Sequence, residues 1–169
     1  MILFSKINRL GLLNQVFEDV VICQEVYDEV VERGRLKDEF GVELIKEAIS
    51  NGRIKVKSIN SKFKVKVEYL IDHYKLIDKG EAETIILALQ ENKKEVLIDE
   101  KYARDIALSL GLIPKGSLRV LLLAFENRIL NEREIKSLLT EITSTDFRIS
   151  AGLLSKFLEL FEELKNKKK

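Results

Sequence analysis

The segment KGEAETIILALQENKKEVLIDEKYARDIALSLG, residues 79–111, decides the fold class. Its apolar residues recur at helical spacing from about Lys79, a short apolar strand EVLID follows, and EKYARDIALSLG returns to helical spacing. A helix, a strand and a second helix in this order are typical of a parallel sheet that is covered by helices. The same segment carries acidic residues at the start of the first helix and at the end of the strand.

Helices and short strands also alternate on both sides of this segment. We predict helices in FSKINRLGLLNQV, QEVYDEVVERG, DEFGVELIKEAISNG and the Ser117-capped SLRVLLLAFENR, and two more from Asn131 and from Ser150. Strands are predicted in EDVVICQ and RIKVKSI, LIP is a short apolar step, and KFKVKVEYLIDHYKL fits neither pattern clearly. The expected fold is therefore α/β, a three-layer α/β/α sandwich with a central parallel sheet.

The length and composition fit a single cytoplasmic domain. At 169 residues the chain can bury one core, and we expect one domain over 1–169, in which about 131–169 form a C-terminal helical extension. Lys and Arg (29) nearly balance Asp and Glu (28), so the net charge points to no partner. Cys23 is the only cysteine and cannot form an internal disulfide, and neither a signal peptide nor a membrane-spanning apolar run is visible.

Four acidic residues are candidates for a functional site. Asp99 follows the buried strand, where open α/β sheets collect their ligands, and Glu100 is next to it. Three of these acids also have a simpler interpretation. Asp99 could cap the helix that follows it, Glu81 could compensate a helix dipole, and Glu29 taken alone should be exposed to solvent.

Taken together, these acids point to a metal site. Three carboxylates that the fold can bring to one end of a sheet, with no cluster of histidines, suit a hard cation such as Mg²⁺ or Mn²⁺. Such a site hydrolyses phosphodiesters by activating water and neutralising the charge of the phosphate.

Five segments together resemble the PIN-domain proteins of bacteria and archaea, in particular a VapC-like branch: VVICQEVYDEVV, KGEAETIILALQ, VLIDEKYAR, GLIPKGSLRVLLLAF and DFRISAGLLSKFLEL. The resemblance implies an α/β/α fold and a Mg²⁺- or Mn²⁺-dependent ribonuclease, a toxin whose partner is a cognate antitoxin. It makes Glu29, Glu81 and Asp99 the catalytic carboxylates and metal ligands, with Glu100 assisting.

The chain departs from this family at its beginning. Family members usually start with a strand that ends in an aspartate, whereas this sequence starts with MILFSKINRLGLL, so the first strand and its aspartate are missing. Three explanations are open: a start recorded too far downstream, a degenerate copy, or a strand supplied by a second chain. We expect weaker metal binding and slower hydrolysis. The alternative functions are a catalytically inactive PIN fold that binds RNA or protein, and an unrelated α/β scaffold; a homodimer is expected.

A basic stretch is the candidate RNA contact. Arg53, Lys55 and Lys57 lie in a region without acidic residues. RNA phosphates bind mainly to local lysines and arginines, so these residues could contact RNA. The simpler interpretation is an edge strand that its lysines keep soluble. Phe63 and Tyr69 could stack on bases, but packing is their simpler role. We expect no catalytic role for His73, at or near the surface, or for Cys23, a small buried hydrophobe.

Overall fold

A computed structural model describes residues 1–34 and 39–167 of the protein. Its strands are β1 (Val21–Cys23), β2 (Lys55–Lys57), β3 (Glu95–Leu97) and β4 (Ile113–Lys115). β1 pairs in parallel with β2, and β3 pairs in parallel with β4, so the described residues form two separate two-stranded parallel sheets. The predicted central sheet is thus present as two short parallel pairs.

Ten helices cover these strands in the part of the chain that the structure describes. They are α1 (Ile2–Lys6), α2 (Leu12–Val16), α3 (Gln24–Tyr27), α4 (Glu39–Ser50), α5 (Ser61–His73), α6 (Lys79–Gln90), α7 (Lys101–Ser109), α8 (Ser117–Glu126), α9 (Glu132–Thr143) and α10 (Ala151–Asn166). A π-helical turn, Asp28–Glu32, continues α3 directly. The predicted helix starts at Lys79, Asn131 and Ser150 are confirmed, because Asp78, Asn131 and Ser150 are N-caps that accept a backbone hydrogen bond.

The strands separate two hydrophobic cores. Ile22 of β1 and Leu97 of β3 pack into one core, whereas Cys23, Val96 and Ile98 pack into the other. Successive side chains of a strand point to opposite faces, so these strands have helices on both sides. The predicted three-layer α/β/α architecture is confirmed.

The two cores belong to different helices. Residues of α1, α2, α4, α8, α9 and α10 form the larger core, and residues of α5, α6 and α7 form the smaller one. The C-terminal helices are part of the larger core: Phe161 of α10 is 2% exposed and its ring lies 4.8 Å from that of Phe125 of α8.

Three local predictions need correction, and one undecided segment is resolved. FSKINRLGLLNQV is two short helices rather than one, since the backbone at Asn8 turns into the left-handed region (φ 50°). LIP enters the strand β4, and the undecided KFKVKVEYLIDHYKL contains the helix α5. The N-cap of the helix that begins at Ser117 is Gly116, not Ser117 itself. Gly116 makes no side-chain cap, so another residue must supply that hydrogen bond.

Part of the helix predicted in DEFGVELIKEAISNG, at Asp38, lies outside the described residues. Among residues 1–34 and 39–167, no helix has both the length and the apolar character that crossing a bilayer requires.

Candidate functional site

The carboxyl end of β1 meets the first turn of α6. The Sγ of Cys23 lies 3.7 Å from the carbonyl oxygen of Gly80 and 3.7 Å from the hydroxyl of Thr84. Cys23 is fully buried there, as the sequence predicted, and burial raises the pKa of its thiol to about 11. This contact fixes the start of α6 against the end of the strand, which is where ligands bind in open α/β folds.

Glu29 lies against this same turn of α6. A Cβ atom at Gly80 would lie 3.4 Å from Glu29 Oε2, so the glycine lets the carboxylate approach the helix closely. The Glu29 side chain is only 17% exposed, which corrects the expectation of a solvent-exposed residue. The π-helical turn carries Glu29, and Arg33 is 3.9 Å from its Oε1. The structure thus brings Glu29 beside the turn that contains Glu81.

Glu81 belongs to a capping box. Its backbone N–H donates to Asp78 Oδ1 (2.7 Å), and its Oε2 accepts from the backbone N–H of Asp78 (3.2 Å). This reciprocal pair satisfies two N–H groups at the start of α6. The helix-end interpretation of Glu81 is therefore correct, while its catalytic role stays a prediction.

Glu25 is a buried acid that the sequence interpretation missed. Its side chain is 7% exposed and forms ion pairs with Arg33 and with Lys79 (2.6 Å). Burial raises the pKa of the Glu25 carboxyl, but the hydrogen bonds from Lys79 and Arg33 together outweigh burial and lower the pKa. Glu83 Oε2 accepts the backbone N–H of Glu25 (3.3 Å). The sequence did contain a signal for Glu25: it lies four residues before the candidate Glu29, on the same helical face.

Asp99 caps a helix that is distant in sequence. Its Oδ1 accepts the backbone N–H of Ser117 (2.6 Å), and its Oδ2 accepts the hydroxyl of Ser117 (2.7 Å). Gly116, the N-cap of α8, has no side chain to make these bonds, and a Cβ there would lie only 3.3 Å from Asp99 Oδ1. Glu100, not Asp99, is the N-cap of α7. The expectation that Asp99 caps the next helix is therefore wrong, because Asp99 caps α8.

These positions do not fit a divalent ion. Glu81 is in the first turn of α6 and Glu29 lies beside that turn, whereas both oxygens of Asp99 are bonded at the start of α8. Within residues 1–34 and 39–167, no three Asp, Glu, His or Cys side chains are grouped closely enough to hold a metal. The roles predicted for Glu29, Glu81, Asp99 and Glu100 stay predictions.

The predicted RNA contacts all have acidic neighbours. Arg53 pairs with Glu47 (3.0 Å), Lys55 pairs with Asp19 (2.8 Å), and Lys57 pairs with Glu91. The hydrogen bonds from Lys55 and Lys93 lower the pKa of the Asp19 carboxyl, which therefore stays charged. Phosphate binding by this stretch would have to compete with these carboxylates, and its RNA role stays a prediction.

The chain matches a known protein family. A family model described as a PIN domain matches residues 1–163. No curated protein and no solved structure matches the chain significantly. The family match spans all four strands and every helix of the α/β/α sandwich except the end of α10. The chain therefore belongs to the PIN-domain family.

Proposed function

We propose that this protein is a PIN-type endoribonuclease of the VapC toxin class that requires Mg²⁺ or Mn²⁺. Membership of the PIN-domain family makes it a nuclease-like protein. The observation that carries the proposal is the position of Glu29: a largely buried carboxylate held beside the first turn of α6, at the carboxyl end of β1. A carboxylate in this position can orient a water molecule next to a phosphate.

Two cations, Arg33 and Lys79, partly neutralise the three carboxylates of this corner, Glu25, Glu29 and Glu83. Arg33 and Lys79 are each more than half exposed, and both reach the buried Glu25. Arg33 also lies 3.9 Å from Glu29, and Lys79 lies 3.9 Å from Glu83, so a phosphate that binds these cations would compete with carboxylates. Glu25 already holds both side chains in position. Positioning of this kind costs little side-chain entropy when the phosphate arrives.

Metal dependence rests on family membership, because the described carboxylates do not fit an ion in their present arrangement. PIN domains generally use divalent metals. The direct test is calorimetric titration of Mn²⁺ together with cleavage of a fluorescent single-stranded RNA in Mn²⁺ and in EDTA. Cleavage that continues unchanged in EDTA would refute the metal requirement.

The variant Glu29→Gln tests the site itself. We expect it to lower the cleavage rate at least roughly 10- to 100-fold, the range seen when even supporting groups of a metal site are lost. The matched control is Glu43→Gln on α4, whose side chain is 69% exposed and pairs with Lys46. If both variants lose the same cleavage rate, or if neither variant loses any, Glu29 is not catalytic.

A second candidate function is a catalytically inactive PIN fold that binds RNA or a protein. The internal bonds of Asp99 and Glu81 favour it, because each carboxylate already satisfies helix-end N–H groups. Binding of RNA without cleavage in any divalent metal would establish this alternative.

The biological assignments are part of the same proposal. A VapC-type toxin acts in the cytoplasm, and its expression should arrest growth unless a cognate antitoxin is present. We also propose a homodimer, which light scattering at micromolar concentration would detect as a mass of twice 19.5 kDa. A monomer at these concentrations would exclude it.

A further inference from the structure

A row of four aromatic side chains crosses the surface from α5 to α7. The rings of Tyr69 and His73 are stacked, with centroids 5.3 Å apart and planes 10° apart. His73 then contacts Tyr74 edge to face at 4.8 Å, and Tyr74 contacts Tyr102 edge to face at 6.3 Å. We call these four residues the aromatic row.

Much of the aromatic row is open to water. Tyr69 is 60% exposed and Tyr102 is 39% exposed, and His73 is exposed as well. Tyr69 is therefore a largely exposed ring that already stacks on a second ring, His73. A flat π surface of this kind accepts another flat ring, such as a nucleobase.

Lysines precede the aromatic row on the same helix. Lys62, Lys66, Tyr69 and His73 follow one another at intervals of four, three and four residues, which puts them on one face of α5. All four are exposed. The acidic residues Glu68 and Asp72 fall to one side of this face, so they do not interrupt it.

These lysines differ from the basic residues around β2. Lys55, Lys57 and Lys93 all pair with carboxylates. By contrast, in residues 1–34 and 39–167 neither Lys62 nor Lys66 is within salt-bridge distance of an acidic side chain; both ammonium groups lie over the Phe63 ring, at 5.4 and 5.0 Å from its centroid. Their charge is available to a polyanion.

We propose that this face of α5, together with the aromatic row, binds single-stranded RNA, with bases stacked on Tyr69 and its neighbours and phosphates near Lys62 and Lys66. The combination of uncovered rings and unpaired cations suits a single strand, because a duplex hides the faces of its bases. The row ends at Tyr102, in the first turn of α7 and three residues after Asp99. The proposal rests on the proposed ribonuclease function and specifies how its substrate is held.

The experiment measures binding without cleavage. Fluorescence anisotropy with a labelled 12-nucleotide oligoadenylate in EDTA gives the Kd of the full chain and of two variants of Tyr69. Tyr69→Ala should weaken binding roughly tenfold, since stacking contributes at that level for one base, and Tyr69→Phe should bind as the unchanged protein does. The control is Val65→Ala, which removes an apolar side chain, 67% exposed, from the same helix.

A second measurement tests the lysines. The double variant Lys62→Gln and Lys66→Gln should reduce the slope of log K against log salt by roughly 1.4, since each phosphate contact to a single strand contributes about 0.7. An unchanged slope would overturn the phosphate contacts.

Three outcomes would overturn the proposal: equal Kd values for Tyr69→Ala and Val65→Ala, loss of binding in Tyr69→Phe, or equal binding of a duplex of the same length. Failure here differs from failure of the proposed function. RNA cleavage that is insensitive to Tyr69→Ala would leave the ribonuclease in place without this surface, whereas aromatic-dependent binding without cleavage would leave the surface in place on an inactive fold.

Discussion

Replacing Asp99 with alanine should destabilise the protein because it uncaps a core helix. Asp99 accepts two hydrogen bonds from Ser117, and Ser117 is fully buried at the start of α8. This helix is central to the larger core: Val120, Leu121 and Ala124 have no exposed surface. Without the carboxylate, the N–H and hydroxyl of Ser117 lose their acceptors.

The magnitude follows from the two bonds and from the exposure of Asp99. Hydrogen bonds to a charged group contribute roughly 1.5–3 kcal/mol each, but Asp99 is exposed, so water can enter and replace part of the loss. The variant should therefore lose about 2 kcal/mol of unfolding free energy, the upper end of the range for an N-cap. Asp99→Asn keeps an acceptor for the Ser117 N–H and should lose only about 1 kcal/mol.

Urea unfolding at pH 7, followed by circular dichroism, measures these differences. Glu100→Ala is the matched control, because Glu100 is adjacent, exposed and makes no side-chain cap; it should change the unfolding free energy by less than about 0.5 kcal/mol. If Asp99→Ala is no less stable than Glu100→Ala, the capping role is wrong. RNA cleavage by the well-folded Asp99→Asn variant then reports separately on any catalytic role.

Three further experiments test other parts of the structure. Glu25→Gln should be less stable by about 1–2 kcal/mol at pH 7. The difference should disappear as the pH falls from about 4.5 through the lowered native pKa of Glu25, because the protonated glutamate is then as neutral as the glutamine. A pH-independent difference would contradict the ion pairs of Glu25. The Cys23 thiol should react with a disulfide reagent at pH 8 at least about 100-fold more slowly in the native protein than in urea, since its pKa is about 11; similar rates would place it at the surface. Phe161→Ala should lose about 3–5 kcal/mol of unfolding free energy, against less than about 0.5 for the exposed Leu158→Ala, and equal losses would mean that α10 is not part of the core.

Local signals in the sequence were sufficient for most helices. The N-caps Asn131 and Ser150 bond to N–H groups three residues later in their own helices, so the sequence alone shows where these helices begin. The buried β-branched run at Val21–Cys23 and the alternating strand at Lys55–Lys57 were visible for the same reason. The helix α5 was not, because its lysines alternate with apolar residues, which is also the pattern of a half-exposed strand.

The candidate site was only partly visible for a related reason. Glu29 and Glu81 could be singled out from their positions on predicted helices, and the structure places Glu29 beside the turn that contains Glu81. Asp99 was assigned to the wrong helix, since a cap from 18 residues away leaves no local pattern. The ion pairs of Glu25 likewise depend on Lys79, which is 54 residues away.

The sequence by itself determined the α/β class, most of the helices and the caps at Asn131 and Ser150, because each depends on residues that are near one another along the chain. The family match also comes from the sequence, over residues 1–163. Only the tertiary structure decided which charges are neutralised and which remain available. It paired Lys55 and Lys57 with Asp19 and Glu91, and it left Lys62 and Lys66 over an aromatic ring. The reason is physical: the energy of a charge depends on its distance from other charges in space, and sequence separation does not fix that distance.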